Sequence, residues 1–157
     1  YTFQRQDGSN VTLSDLFDGR DELLLIFNMG KECPYCTLWA DGYNGLSDHL
    51  ENRVGFVVVS PDLPKIQKEF YDSRHWRFPM VSHYENSFAE NFGFKVDGEY
   101  YLPGVATFSK DDSGQIFFHV SSQFGPGDNF CSQWDFLRLL PKGENKWVPK
   151  YTYEDGQ

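Results

Sequence analysis

Cys33 and Cys36 are the residues of this 157-residue chain best suited to do chemistry, with Pro34 and Tyr35 between them. The nucleophile of sulfur chemistry is the thiolate, so the surroundings that ionise one of the two sulfurs decide what the pair can do. An apolar run, Leu23–Phe27, precedes the motif. Behind it Trp39, Tyr43, Leu46 and Leu50 recur at spacings of four, three and four, one face of a helix over 34–50 that Gly42 and Gly45 weaken. The motif is therefore expected where a buried strand hands over to a helix. Unpaired N–H groups and the macrodipole of that helix would lower the pKa of Cys33. Pro34 suits the first turn, where its missing N–H costs nothing. Cys36, one turn further in, would be more buried and would attack a mixed disulfide formed at Cys33, releasing the product. Lys31 would add positive charge upstream, opposed by Glu32. The expectation is a dithiol–disulfide redox site that needs no organic cofactor and no metal.

Two other readings stay open. A structural zinc site needs four ligands, usually in two paired motifs. Only Cys131, His49, His75, His83 and His119 remain, with no second pair at ligand spacing. A Cys-x-x-Cys can also persist on a domain that only binds partners. Trp39 is read as core, since it continues the apolar helix face. Asp41 is read as solvated or capping a local turn, and each histidine as a surface or hydrogen-bonded structural residue.

The elements that must position the motif can be read from the pattern around it. Tyr1–Phe3 is a short apolar start before a turn at Asp7-Gly8, and Val11–Phe17 reads as a short helix capped by Thr12 or Ser14. Leu23–Phe27 and Gly55–Ser60 read as buried strands. Pro64–Tyr71 reads as a helix, Pro79–Val81 as a short strand, and the segment from Asn86 or Ser87 to Phe92 as a brief helix ended by Gly93. Val105–Phe108 and Gln115–Ser121 flank a hairpin turn, and Phe130–Leu140 is a last amphipathic helix before a polar and aromatic tail from Lys142. Strand–helix alternation followed by a hairpin and a helix describes one α/β domain over residues 1–157, with a mixed sheet. Leu23–Phe27 and Gly55–Ser60 should be parallel, joined by a right-handed crossover through the helix, with Val105–Phe108 antiparallel to them.

Composition limits the partners. Fourteen Lys and Arg against 23 Asp and Glu give a net charge of −9, which repels phosphate backbones and anionic lipid. No apolar run approaches the roughly 20 residues of a membrane-spanning helix. Nucleic acid and membrane are not expected partners. A protein or small-molecule disulfide and an electron donor are. A cytoplasmic location is expected, for a chain that opens at Tyr1 rather than Met.

The order Tyr1-Thr2-Phe3, Leu13-Ser14-Asp15-Leu16-Phe17, apolar strand and cysteines resembles the thioredoxin superfamily, especially its peroxiredoxin-like branch with an N-terminal extension. Further stretches resemble one bacterial thioredoxin-like family of unknown function, whose members are often labelled dithiol–disulfide isomerases. These are Cys33-Pro34-Tyr35-Cys36-Thr37-Leu38-Trp39-Ala40-Asp41-Gly42, His49-Leu50, Val58-Val59-Ser60, Phe78-Pro79-Met80-Val81-Ser82, Phe92-Gly93 and Leu140-Pro141-Lys142-Gly143. The resemblance implies a thioredoxin-like fold, catalysis by Cys33 and Cys36, and a substrate groove supported by Lys31, Pro34, Tyr35, Trp39, Pro103, Gly104 and Val105. Family patterns are also departed from. Peroxiredoxins carry a Pro and a Thr or Ser seven and three residues before the peroxidatic cysteine. Those places hold Ile26 and Gly30 before Cys33, and Met29 and Cys33 before Cys36, so peroxide reduction through that motif is not expected. The buried Asp that thioredoxins place six residues before the first cysteine is Phe27 here. Their cis-proline place falls at Val105 or Ala106, near Pro103. The Cys-Pro-Tyr-Cys of glutaredoxins is present without their Thr-Val-Pro.

Topology makes an expectation about Cys131. The end of Leu23–Phe27, the Ser60-Pro61 corner, Pro103-Gly104-Val105 and the end of Gln115–Ser121 should share one rim of the sheet. Cys131, at the start of the last helix, should then lie on the Cys33 side with a pKa lowered by that helix. It could be a third redox thiol, or a groove wall with Phe124 and Phe130; the favoured reading is a small buried apolar residue.

Overall fold

The computed structural model describes residues 1–154. In chain order its elements are β1 (Thr2–Gln4), β2 (Asn10–Thr12), a 3-10 turn (Asp15–Phe17), β3 (Glu22–Phe27), α1 (Pro34–Arg53), β4 (Gly55–Ser60), α2 (Pro64–Ser73), β5 (Met80–Ser82), α3 (Phe88–Asn91), β6 (Lys95–Val96), β7 (Tyr100–Tyr101), β8 (Gly104–Lys110), β9 (Ile116–Gln123) and α4 (Ser132–Arg138). Seven strands make one mixed sheet in the order β2-β1-β5-β4-β3-β8-β9, and β6 and β7 form a separate hairpin.

The continuous apolar runs of β3 and β4 put both strands in the sheet centre, because only there are both faces covered. Leu23, Leu25 and Phe27 point into one core with Phe88, Phe94 and Phe108. Ile26 points to the opposite face, where Trp39, Ala40 and Tyr43 of α1 pack over Phe56 and Val58. β3 runs parallel to β4, with Phe27 opposite Val59, and antiparallel to β8, with Phe27 opposite Gly104. β9 then pairs antiparallel with β8, Gly104 opposite Gln123. The ends of β3, β4 and β9 and the start of β8 therefore meet on one rim, as the topological argument expects.

Some expectations fail for identifiable reasons. Residues 11–17 are not one helix. Val11 and Leu13 are buried and Thr12 between them is exposed, a period of two that belongs to a strand, and only Asp15–Phe17 turns. Thr12 does hold that turn: its N–H and hydroxyl both donate to the Asp15 carboxylate, at 2.7 and 2.8 Å. The buried stripe of α1 runs through Cys36, Ala40, Tyr43 and Ser47, while Leu46 stays 52% exposed. The last helix is shorter than expected and buries only Trp134, leaving Phe136, Leu139 and Leu140 in the open. The β6–β7 hairpin was not anticipated. Its signal is Asp97-Gly98, both at positive φ, which with Glu99 make the three-residue connection from Val96 back to Tyr100.

Candidate redox site

The loop from β3 into α1 is held from two directions. Asn28 donates its N–H to the Val59 carbonyl at 2.9 Å, and its side-chain oxygen accepts the Gly30 N–H at 2.8 Å. Gly30 turns at φ +100°, and the next residue, Lys31, donates its N–H to the Asp62 carboxylate at 2.9 Å. The Cys33 N–H closes the loop on the Gly30 carbonyl. Cys33 is thereby set as the N-cap of α1, in extended conformation, with Pro34 in the first turn. Its sulfur takes the role of a capping side chain and accepts the Cys36 N–H at 3.1 Å.

This geometry separates the two thiols. The Cys33 pKa is lowered to about 7, chiefly by the Cys36 thiol and then by the Cys36 and Tyr35 amides, against partial burial. Cys36 is buried and its pKa is pushed far up by its hydrogen bond to Cys33, by burial and by the negative charge of that neighbour. The Met29 N–H lies on its sulfur at 3.4 Å. One sulfur is ionised near neutrality and the other held as thiol.

The other expected site residues fall out as follows. Lys31 enters through its backbone. Its ammonium sits 3.8 Å from Glu32, and the groups that lower the Cys33 pKa are the Cys36 thiol and two backbone amides, with no cation among them, so the expected side-chain contribution is not found. Tyr35 is half-buried, its ring 6.2 Å from both Trp39 and Trp134. Trp39 is core. Pro103 precedes β8, Gly104 and Val105 begin it opposite Phe27 and Ile26, and Val105 packs against the cluster that holds Cys36. Among the described residues no peptide bond is cis. Phe27 lies flat against Phe94 at 4.0 Å on the far face of the sheet, so that position cannot supply a base. Cys131 is the N-cap of α4, half-buried and packed against the same cluster as Cys33 and Cys36. Its pKa is raised, not lowered: burial outweighs the Gln133 amide, and Asp128 and Asp135 add to the rise.

Asp41 is not a solvated turn residue. It pairs with Arg74 and accepts the Trp76 indole N–H at 2.8 Å. His83 is neither on the surface nor fully hydrogen-bonded: it is buried beside Tyr101, its Nδ1 without a partner among the described residues, and burial lowers its pKa to about 4. Sequence reasoning missed Asn28 and Asp62. The Asn-x-Gly spacing of a side-chain turn was a signal for the first; Asp62 acts across 31 residues and leaves none. Among the described residues no group of three or more His, Cys, Asp or Glu is placed to hold a metal ion, and no helix is long and apolar enough to cross a membrane.

Comparison with known proteins agrees with this architecture. A Haemophilus influenzae protein named "Putative peroxiredoxin bcp" is 31% identical over 149 residues, 89% of this chain and 92% of the relative. A protein-family model described as "Bacterial protein of unknown function (DUF899)" matches residues 1–155. The chain belongs to this bacterial family and to the peroxiredoxin Q/BCP group of the thioredoxin-like fold. Peroxiredoxin Q of Gentiana triflora chloroplasts is 26% identical over 139 residues, 88% of this chain and 63% of that protein. The chain thus spans less than two thirds of the plant peroxiredoxin Q relatives it matches first. Among solved structures, the peroxidoxin BcpB of Mycobacterium tuberculosis superposes with a TM-score of 0.62 at 24% identity, over 87% of each chain. The thioredoxin-like fold is the one expected. The relatives carry peroxiredoxin names, where the sequence resemblance carried an isomerase label.

Proposed function

We propose that the chain is a thiol-dependent oxidoreductase in which Cys33 attacks and Cys36 resolves, acting on a protein or small-molecule disulfide. The observation that supports it is the Cys33 sulfur at the head of α1, capped by the Cys36 amide and ionised near neutrality. Cys33 thiolate attacks a disulfide RS–SR′, forms Cys33–S–S–R and expels R′S⁻, which takes up a proton. The anion and hydrogen bond that held Cys36 protonated are then gone, so its pKa falls at the moment it is needed. Cys36 loses its proton to solvent, attacks the Cys33 sulfur and expels RS⁻. Two electrons have reached the substrate, and an external dithiol must restore the Cys33–Cys36 pair.

The likeness to peroxiredoxins favours a second reading with the same residues. Cys33 thiolate attacks a hydroperoxide oxygen, giving a sulfenic acid and an alcohol, and Cys36 condenses with it to the disulfide and water. Rapid mixing of the reduced protein with oxidised glutathione, or with cumene hydroperoxide, separates the two. Under the first reading the disulfide consumes two thiols, Cys33→Ser is inert, Cys36→Ser traps a mixed disulfide, and hydroperoxide reacts no faster than with free cysteine. Hydroperoxide reduction many-fold faster than disulfide reduction would replace the first reading by the second. Inertness to both oxidants would overturn the enzyme and leave a binding domain.

A further inference from the structure

The segment after α4 returns across the dithiol and brings a hydroxyl to it. On one side of the motif Trp147 packs on Trp134 at 6.1 Å, and Trp134 lies 6.2 Å from the ring of Tyr35. On the other side Tyr151 meets Phe70 edge-on at 6.1 Å. Phe70 packs on the same cluster as Cys33 and Tyr35, and it borders the tight space against Gly30 and Lys31, in the loop that presents Cys33. The three residues between these anchors therefore pass from the Tyr35 side of the motif to the Gly30 side, with Pro149 buried on the way.

Tyr151 is also fixed through its backbone. Arg74 donates to its carbonyl oxygen, and the Tyr153 hydroxyl accepts the Lys150 N–H at 3.1 Å, closing the turn that carries it. The residue is half-buried, and its phenol meets the charges of Glu32, Cys33 and Cys36, with Arg74 opposing them. Burial and those anions push its pKa upward, so near neutrality it is a donor that keeps its proton. The Cys33 sulfur does not use that donor: the groups bonded to it are the Cys36 thiol and the amides of Cys36 and Tyr35. The phenol is left for a sulfur that arrives with the substrate.

We infer that Tyr151 is a catalytic residue of the dithiol reaction proposed above, on which this rests: its hydroxyl donates a hydrogen bond to the substrate sulfur that leaves as a thiolate. When the Cys33 thiolate attacks RS–SR′, a Cys33–S–S–R bond forms and the RS–SR′ bond breaks. Its electron pair stays on R′S, so the negative charge moves from Cys33 to the departing sulfur. A donor already in place holds that charge as it develops, at no cost in reorganisation. The phenol keeps its proton throughout, and R′S⁻ is protonated by solvent.

The test compares reduced wild type with Tyr151→Phe, which keeps the ring and its contact with Phe70, against two disulfides in rapid mixing. Oxidised glutathione expels a thiolate that is a strong base and needs the donor. The dithiobis-nitrobenzoate reagent expels one whose charge the nitro ring already spreads, and which leaves readily unaided. Tyr151→Phe should slow the first reaction about 5- to 20-fold, the worth of a hydrogen bond to a charged group at a half-buried site, and the second less than about 2-fold. The Cys33 alkylation midpoint should stay near pH 7, and tryptic cleavage after Lys146 and Lys150 should match the wild type. Equal slowing with both disulfides, or none with either, overturns the role of the hydroxyl, as does a displaced Cys33 midpoint, which would make Cys33 itself its acceptor. Faster cleavage at the two lysines overturns it too, by assigning the loss to a loosened tail. A wild-type protein that reduces neither disulfide overturns the redox reading and this inference with it, an outcome distinct from all the others.

Discussion

Cys33 owes its acidity to a donor on its own helix, and that makes a sharp expectation. Alkylation of the reduced protein by iodoacetamide should rise with a midpoint near pH 7 at Cys33 while Cys36 stays unreactive. Cys36→Ser, which replaces the thiol partner, should move that midpoint, and an unmoved midpoint would assign the acidity to the helix amides alone. The same shift acts on stability. The folded pKa lies below the ordinary value of about 8.5, so the thiolate stabilises the fold above that pH and the gain is lost as pH falls through 7. Because Cys33 is partly solvated, the loss relative to Cys33→Ser should be only about 1 kcal/mol, measured by urea unfolding at pH 9 and pH 6. His83 works in a second window. Its folded pKa of about 4 lies below the ordinary 6.5, so the unfolded chain takes up the proton first and stability falls as pH drops from 6.5 to 4, by up to about 3 kcal/mol. His83→Phe should flatten that slope; a slope unchanged would assign it to carboxylates. The cysteines were legible because their chemistry is local in sequence. The state of His83 was not, since burial under Tyr101 is decided by chain segments far apart.

At the level of elements, the legible part was whatever one apolar pattern could specify. β3, β4, α1 and the β8–β9 hairpin were found because continuous runs, a 4-3-4 spacing and a Gly-containing turn each carry their own signal. β1 and β2, the last two strands on one side of the sheet, are three residues each, too short for a period to show, and β6 and β7 are shorter still. The tight joints were invisible as well, because they depend on partners remote in the chain. A Cβ on Gly104 would lie 2.2 Å from the Phe94 ring and 2.5 Å from the Ser122 carbonyl oxygen. The ring could shift, but the strand backbone of β9 cannot, so Gly104→Ala should destabilise by about 1–3 kcal/mol in denaturant unfolding. Gly30→Ala meets the Asp62 carboxylate at 2.9 Å and requires φ +100°, so it strains the loop that presents Cys33. Its distinguishing readout is the Cys33 alkylation midpoint, which should move in Gly30→Ala and hold in Gly104→Ala. Equal midpoints in all three proteins would mean that the loop does not tune the thiol.

Across the whole molecule, the sheet divides two cores, and the segment after α4 ties one of them together from outside. The sequence suggested only a polar and aromatic tail from Lys142 on the surface. In the structure Trp147 packs on Trp134 at 6.1 Å, Pro149 is buried, and Tyr151 meets Phe70 edge-on at 6.1 Å. Arg74 donates to the Tyr151 carbonyl while pairing with Asp41, which also receives the Trp76 indole N–H. One guanidinium thus links α1, α2 and the tail on the face that carries Tyr35 and the cysteines. Arg74→Ala leaves Asp41, partly buried, with a single neutral donor and frees the tail from its polar anchor. The cost should be about 1–3 kcal/mol, between that of an exposed pair and that of a buried one. It should be concentrated in the tail, because local opening there needs only Trp147, Pro149 and Tyr151 to lift. Brief trypsin treatment followed by mass spectrometry reads this directly at Lys146 and Lys150, whose following residues, Trp147 and Tyr151, are held down in the intact protein. Cleavage at these two bonds should be several-fold faster in Arg74→Ala than in the wild type, with cleavage elsewhere little changed. Equal rates at both bonds would show that the aromatic contacts hold the tail alone and that the Arg74 network belongs to the α1–α2 interface.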